Sequence, residues 1–75
     1  MKILAIGGSG GMGRFAVAAA QHFDHVEQIV VADLNADSAH SFASQMNHKV
    51  SAMHLDVADA DALQNAMSGI DVVVN

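Results

Sequence analysis

The amino-terminal segment holds five of the chain's six glycines, at spacings that could bind phosphate. The chain begins MKILAIGGSGGMG, so an apolar run ends at Ile6 and the glycines follow at once. Gly8, Gly10 and Gly13 match the pattern G-x-G-x-x-G. Gly7 also combines with Gly10 and Gly13 to match G-x-x-G-x-x-G. The second register is favoured, because the first glycine of such a loop normally follows the last strand residue directly.

Both registers imply the same chemistry. The backbone must turn sharply, which glycine permits because it adopts positive φ without a steric penalty. The N–H groups at the start of the following helix then attract a pyrophosphate, and Gly13 lets that helix approach the first strand closely. The residues predicted to surround the phosphates are Gly7, Gly8, Ser9, Gly10, Gly11, Met12 and Gly13.

An acidic residue closes the next apolar run, 20 residues after Gly13. Asp33 at this position is predicted to accept hydrogen bonds from the ribose hydroxyls of a dinucleotide, with Leu34 beside it. The other interpretation is a turn residue or a helix cap. A carboxylate repels a 2′-phosphate, and no Lys or Arg lies between Leu34 and Met46, so these residues favour NAD over NADP.

Further positions could reach the same ligand. Asp56 and Val57 follow the third strand, where the carboxylate could accept from the adenine amino group while Val57 packs on the ring; alternatively Asp56 caps a helix. Asn75 would lie near the ribose or the nicotinamide, or be frayed as the last residue. Arg14 stands in the first helical turn, where a cation is unfavourable unless an anion is near. It could contact the pyrophosphate or a 2′-phosphate, or be solvated.

The elements that must position these residues alternate along the chain. Apolar periodicity predicts strands at 2–6, 28–32, 49–55 and 70–74 and helices at about 11–23, 36–46 and 60–68. Asn35 and Asp59 are the expected N-caps, and Gly69 follows the last helix. The third strand mixes polar residues with apolar ones, as an edge strand does, whereas the others are continuously apolar. The predicted fold is α/β, a Rossmann-like parallel sheet of order 3-2-1-4 that is truncated after strand four.

The first helix is expected to bury one apolar face. The residues predicted to form this face follow the first of them by 3, 4, 7, 8 and 11 positions, which is the spacing of one side of a helix. They are Met12, Phe15, Ala16, Ala19, Ala20 and Phe23.

Composition excludes several classes of protein. The chain has 75 residues, 52% hydrophobic and 15% charged, which fits a packed core and not a disordered segment. The net charge is −5, and the only Lys and Arg residues are Lys2, Arg14 and Lys49. They form no basic patch that could bind nucleic acid or an anionic membrane. There is no cysteine, and no apolar run resembles a signal peptide or a membrane span, so a cytoplasmic location is expected.

The spacing of the remaining polar residues predicts neither a metal site nor a nucleophile–base pair, so no catalytic residue is assigned. We expect residues 1–75 to be the N-terminal part of a dinucleotide-binding domain, because no helix follows to cover strand four. That uncovered strand also predicts a homo-oligomer.

The pattern as a whole resembles the N-terminal cofactor domain of the saccharopine dehydrogenase family. The matching stretches are KILAIGGSGGMGR at 2–14, VAD at 31–33, LDV at 55–57 and GIDVVVN at 69–75. The resemblance implies an NAD(P)-dependent oxidoreductase that acts on an amino-acid-like secondary amine, with its substrate-binding and catalytic residues beyond position 75. Several relatives place Arg after the strand-two acid, where this chain has Leu34, a difference that counts against NADP.

Two alternatives stay open at this point. Extended short-chain dehydrogenases and epimerases share the G-x-x-G-x-x-G loop and the Asp-Val pair. Regulatory nucleotide sensors, like the domains that gate potassium transporters, share the loop and the strand-two acid but do no chemistry. Such sensors usually carry Gly-Asp after strand three, whereas this chain has Leu55-Asp56, which favours the enzyme.

Overall fold

A computed structural model describes residues 1–7 and 11–74, and within them strands and helices alternate. The strands and helices, in chain order, are β1 (Lys2–Ile6), α1 (Gly11–Ala20), β2 (Gln28–Asp33), α2 (Ala36–Ala43), β3 (Val50–His54), α3 (Ala60–Met67) and β4 (Val72–Val74). The predicted order of elements is confirmed, with α1 and α2 each ending three residues earlier than the periodicity suggested.

The described strands form one parallel sheet of order β3-β2-β1-β4, as predicted. Ile6 pairs with Ala32, and the last residue of β2, Asp33, pairs with His54 at the end of β3. Because neighbouring strands are parallel and nearly in register, the carboxyl ends of β1, β2 and β3 meet at one edge of the sheet.

Successive residues of β1 point to opposite faces of the sheet, and each face has its own apolar cluster. Ala5 belongs to the cluster beneath α1 and α2, together with Val17 and Phe42. Leu4 belongs to the other cluster, where Leu63 of α3 packs. Burial on both faces explains why the central strands read as continuous apolar runs.

The predicted apolar face of α1 is wrong at four of its positions. Phe15 is 73% exposed, and Ala16, Ala19 and Phe23 are exposed as well. Val17, only 3% exposed, and the half-buried Ala20 pack on the sheet instead. Alanine occupies positions 16, 18, 19 and 20, so the helix offers apolar stripes on more than one side, and periodicity alone could not choose between them.

Side-chain caps define the starts of the next two helices as predicted. The Asn35 Oδ1 atom accepts the Ser38 N–H at 3.0 Å, and the Asp59 Oδ1 atom accepts the Ala62 N–H at 3.1 Å. Each such cap contributes about 1 kcal/mol to stability. Gly69 has a φ of 76°, the left-handed conformation that ends the α3 segment.

Candidate functional site

The turn after β1 forms one wall of the candidate site. Gly7 has a φ of 68°, and its N–H donates to the Ala32 carbonyl at 2.7 Å. The hydrogen bond extends the β1–β2 pairing by one residue. A Cβ added at Gly7 would meet no atom within 4 Å, so glycine is required here for its conformation and not for lack of space.

The end of β2 places a carboxylate next to this turn. Asp33 is half-buried, and its Oδ1 atom accepts the Asn35 N–H at 3.1 Å. This local hydrogen bond is the turn role that the sequence allowed, and it also orients the carboxylate at the edge of the sheet. Leu34, the next residue, is exposed.

The end of β3 completes the site from the other side. The Leu55 N–H donates to the Asp33 carbonyl at 3.0 Å, and the Leu55 side chain is buried. Asp56 Oδ1 accepts the Ala58 N–H at 2.9 Å, so Asp56 stabilises the loop after β3. The alternative that Asp56 caps α3 is wrong, because Asp59 is the N-cap. Val57 is exposed beside it.

These three strand ends enclose a cleft of about 220 Å³. Its walls are mostly apolar, with two carboxylates at the rim, a combination that suits a flat aromatic base and its sugar hydroxyls. The lining residues are Ile6, Gly7, Ala32, Asp33, Leu34, Leu55, Asp56 and Val57. Five of the predicted site residues are thus brought together: Gly7, Asp33, Leu34, Asp56 and Val57.

An open depression adjoins the cleft and shares two of its residues, Asp33 and Leu34. It continues over the start of α2 and includes His54. His54 was not predicted to lie at the site, because the neighbour of Asp33 depends on the register between β2 and β3, which the pattern of a single sequence does not specify. Among the described residues no three His, Asp or Glu side chains are grouped to hold a metal ion.

The remaining predicted positions are only partly described. Gly8, Ser9, Gly10 and Asn75 lie outside the described residues. Gly11 and Met12 belong to α1, but the structure does not describe the burial of either residue. Gly13 is half-buried in the first turn of α1.

Comparison with known proteins identifies the family. The family model described as "Saccharopine dehydrogenase NADP binding domain" matches residues 3–75. The chain belongs to this family. It is therefore a nicotinamide-dinucleotide-binding domain of a dehydrogenase family. A search of curated protein sequences gave no significant match.

Solved structures show the same fold. The chain is similar to a short chain dehydrogenase/reductase family protein, with a TM-score of 0.84 and 19% identity over 100% of this chain. It is also similar to 3-hydroxyacyl-CoA dehydrogenase type-2 from Mycobacterium avium, with a TM-score of 0.75 and 23% identity over 99% of this chain. The chain covers 32% and 31% of those two proteins, about a third of their length.

The family match does not support the sequence-based preference for NAD. The description of the family model names NADP, which favours the phosphorylated cofactor. The sequence-based preference for NAD depended on Asp33 and the residues that follow it, with the role of Arg14 left open. A cation from another element can also face this part of a dinucleotide site and offset the repulsion between Asp33 and a 2′-phosphate.

Within the described ranges, 1–7 and 11–74, no helix is long and apolar enough to cross a bilayer.

Proposed function

We propose that this chain is the N-terminal, cofactor-binding part of an oxidoreductase that acts on an amino-acid-like secondary amine. The observation that carries the cofactor role is the cleft, which unites the Gly7 turn, the Asp33 carboxylate and the Asp56-Val57 loop at one edge of the sheet. The substrate class follows from the resemblance to saccharopine dehydrogenases. Because the chain covers only about a third of two structurally similar dehydrogenases, substrate binding and catalysis are assigned to other parts of the protein.

Each part of the cleft has a role in this proposal. The apolar wall formed by Leu34 and Val57 contacts the adenine, and Asp56 accepts a hydrogen bond from its amino group. Asp33 accepts from the ribose, in an orientation fixed by its hydrogen bond with Asn35. The segment from Gly7 to Gly13 and the start of α1 hold the pyrophosphate. The bound nicotinamide supplies hydride chemistry, and the residues of this chain hold and orient the cofactor.

Substitution of the ribose carboxylate tests the proposal. We expect Asp33→Asn to weaken NADH binding to the chain by about 1–3 kcal/mol, the range for losing hydrogen bonds to a charged group. The matched control is Asp24→Asn, which removes the same charge from the exposed loop between α1 and β2. Binding is measured by titration with NADH and NADPH, following nicotinamide fluorescence.

The outcomes separate the roles of the residue. Loss of NADH affinity in Asp33→Asn but not in Asp24→Asn supports ribose binding. Equal NADH affinities in both variants and the unsubstituted chain would mean that Asp33 acts only as a turn residue. Failure of the unsubstituted chain to bind either cofactor would refute the cofactor role itself.

A further inference from the structure

The basic residues of the chain are few enough to be assigned one by one. There are three: Lys2, Arg14 and Lys49. Lys2 begins β1, and Lys49 precedes β3 with its Nζ donating to the Phe23 carbonyl at 3.1 Å. Both therefore lie at the amino edge of the parallel sheet, opposite the cleft. Arg14 lies in the first turn of α1, the helix that follows the carboxyl end of β1, and it is the one permanently charged cation at the cofactor edge.

Contact with α2 sets the position of this arginine. The Arg14 Cζ atom lies 5.2 Å from the centroid of the Phe42 ring, and Phe42 is buried in α2. The guanidinium is therefore held against α2 by a cation–π contact. Among residues 1–7 and 11–74, the ion pair found joins the amino terminus to Glu27, so no described carboxylate lies within 4.0 Å of Arg14.

A cavity of about 350 Å³ opens beside the guanidinium. It is lined by Arg14, Asp37, Ser38, Ser41 and Phe42. A guanidinium and two hydroxyl groups are donors that suit a phosphate. Asp37 opposes an anion, so the net attraction depends on Arg14.

The cavity adjoins the part of the site assigned to the ribose. Asp37 lines both this cavity and the open depression that contains Asp33. Because the two share a wall, a phosphate carried by a ribose bound at Asp33 would be next to the cavity that Arg14 lines. The arginine would then offset the repulsion from both carboxylates.

We propose that Arg14, assisted by Ser38 and Ser41, binds the 2′-phosphate of NADP and thereby determines the preference for the phosphorylated cofactor. This inference rests on the proposed cofactor-binding function. It assigns the discriminating contact to α1 and α2, and not to the residue that follows Asp33.

The test compares two cofactors that differ only in the 2′-phosphate. We expect Arg14→Gln to weaken NADPH binding by about 10- to 100-fold, as for losing a charged hydrogen-bond donor, and to change NADH binding by less than about twofold. Asp37→Asn should strengthen NADPH binding selectively, because it removes the opposing charge. Lys49→Gln is the control, since it deletes one positive charge from the opposite edge of the sheet.

A second pair of probes isolates the adenosine end. Adenosine 2′,5′-bisphosphate should lose affinity for Arg14→Gln in parallel with NADPH, whereas adenosine 5′-monophosphate should not. Circular dichroism checks that each variant is folded. The expected result for Asp37→Asn is a gain in NADPH affinity, which misfolding of the variant could not produce.

Three results would overturn the assignment. Equal losses for NADPH and NADH would mean that Arg14 contacts the shared pyrophosphate, and unchanged affinities would mean that it contacts neither. Unchanged NADPH affinity in Asp37→Asn would also contradict it. Absence of binding of either cofactor to the unsubstituted chain would instead refute the proposed function, and the assignment with it.

Discussion

Gly7 and Gly69 both have positive φ and provide a matched pair of perturbations. Gly7 has a φ of 68° and Gly69 a φ of 76°, and a Cβ added at either would meet no atom within 4 Å. An alanine at either position therefore costs only the conformational penalty of left-handed backbone, about 1–2 kcal/mol. In a domain of this size, 1 kcal/mol lowers Tm by roughly 4–8 °C. We expect Gly7→Ala and Gly69→Ala to destabilise the chain by similar amounts.

The two variants should differ in ligand binding. Gly7 lines the cleft and its N–H bonds to Ala32, whereas Gly69 follows α3 at the amino edge of β4. We expect Gly7→Ala to weaken NADPH and NADH binding together, and Gly69→Ala to leave both unchanged below Tm. Thermal unfolding followed by circular dichroism and titration of the folded proteins measure the two effects. An unchanged Tm for Gly7→Ala, or equal losses of affinity in both variants, would refute the reasoning.

Three further outcomes follow from packing and from the contents of the site. Val17→Ala should destabilise the chain by about 1–2 kcal/mol, whereas Phe15→Ala, at a position 73% exposed, should change stability little. Chemical denaturation measures both effects. A larger loss of stability in Phe15→Ala would support the buried face of α1 that the sequence suggested. The chain should bind cofactor without turning over amino-acid-like substrates, because the described residues that line its cleft include no nucleophile–base pair. Steady oxidation of reduced nicotinamide in an absorbance assay would contradict this. The chain should self-associate through β4, because this strand is an edge of the described sheet and its valines are exposed. Val73→Lys should then favour the monomer. Sedimentation of the unsubstituted chain as a folded monomer at high concentration would refute self-association.

The strand order could be predicted because burial leaves a direct signature in sequence. The segments around Leu4 and Val31 are apolar without interruption, since their residues are buried on both faces. The strand containing Ser51 and His54 mixes polar residues in, which marked it as the edge. The glycine turn and the caps could be predicted as well, because each depends on local backbone chemistry.

Features that depend on strand register or on how the helices pack against their neighbours could not be predicted. The Ala-rich α1 gave no basis for choosing Val17 over Phe15 as the buried side. The neighbour of Asp33 on β3 is set by strand register, and the placement of Arg14 against Phe42 is set by the packing of α1 beside α2. With the position of Arg14 left open, the Asp33 carboxylate and the lack of a Lys or Arg after it favoured NAD, whereas the family match favours NADP.

The central claim is that the cleft at the carboxyl ends of β1, β2 and β3 binds a nicotinamide dinucleotide. Its most direct test is an NMR titration of the isotope-labelled chain with NADPH, following every assigned backbone amide. We predict that the largest shifts occur at Gly7, Asp33, Leu34, Asp56 and Val57, with little change at Lys2, Lys49 or Gly69 on the opposite edge. Saturable shifts centred on that opposite edge, or none at any amide, would contradict the account.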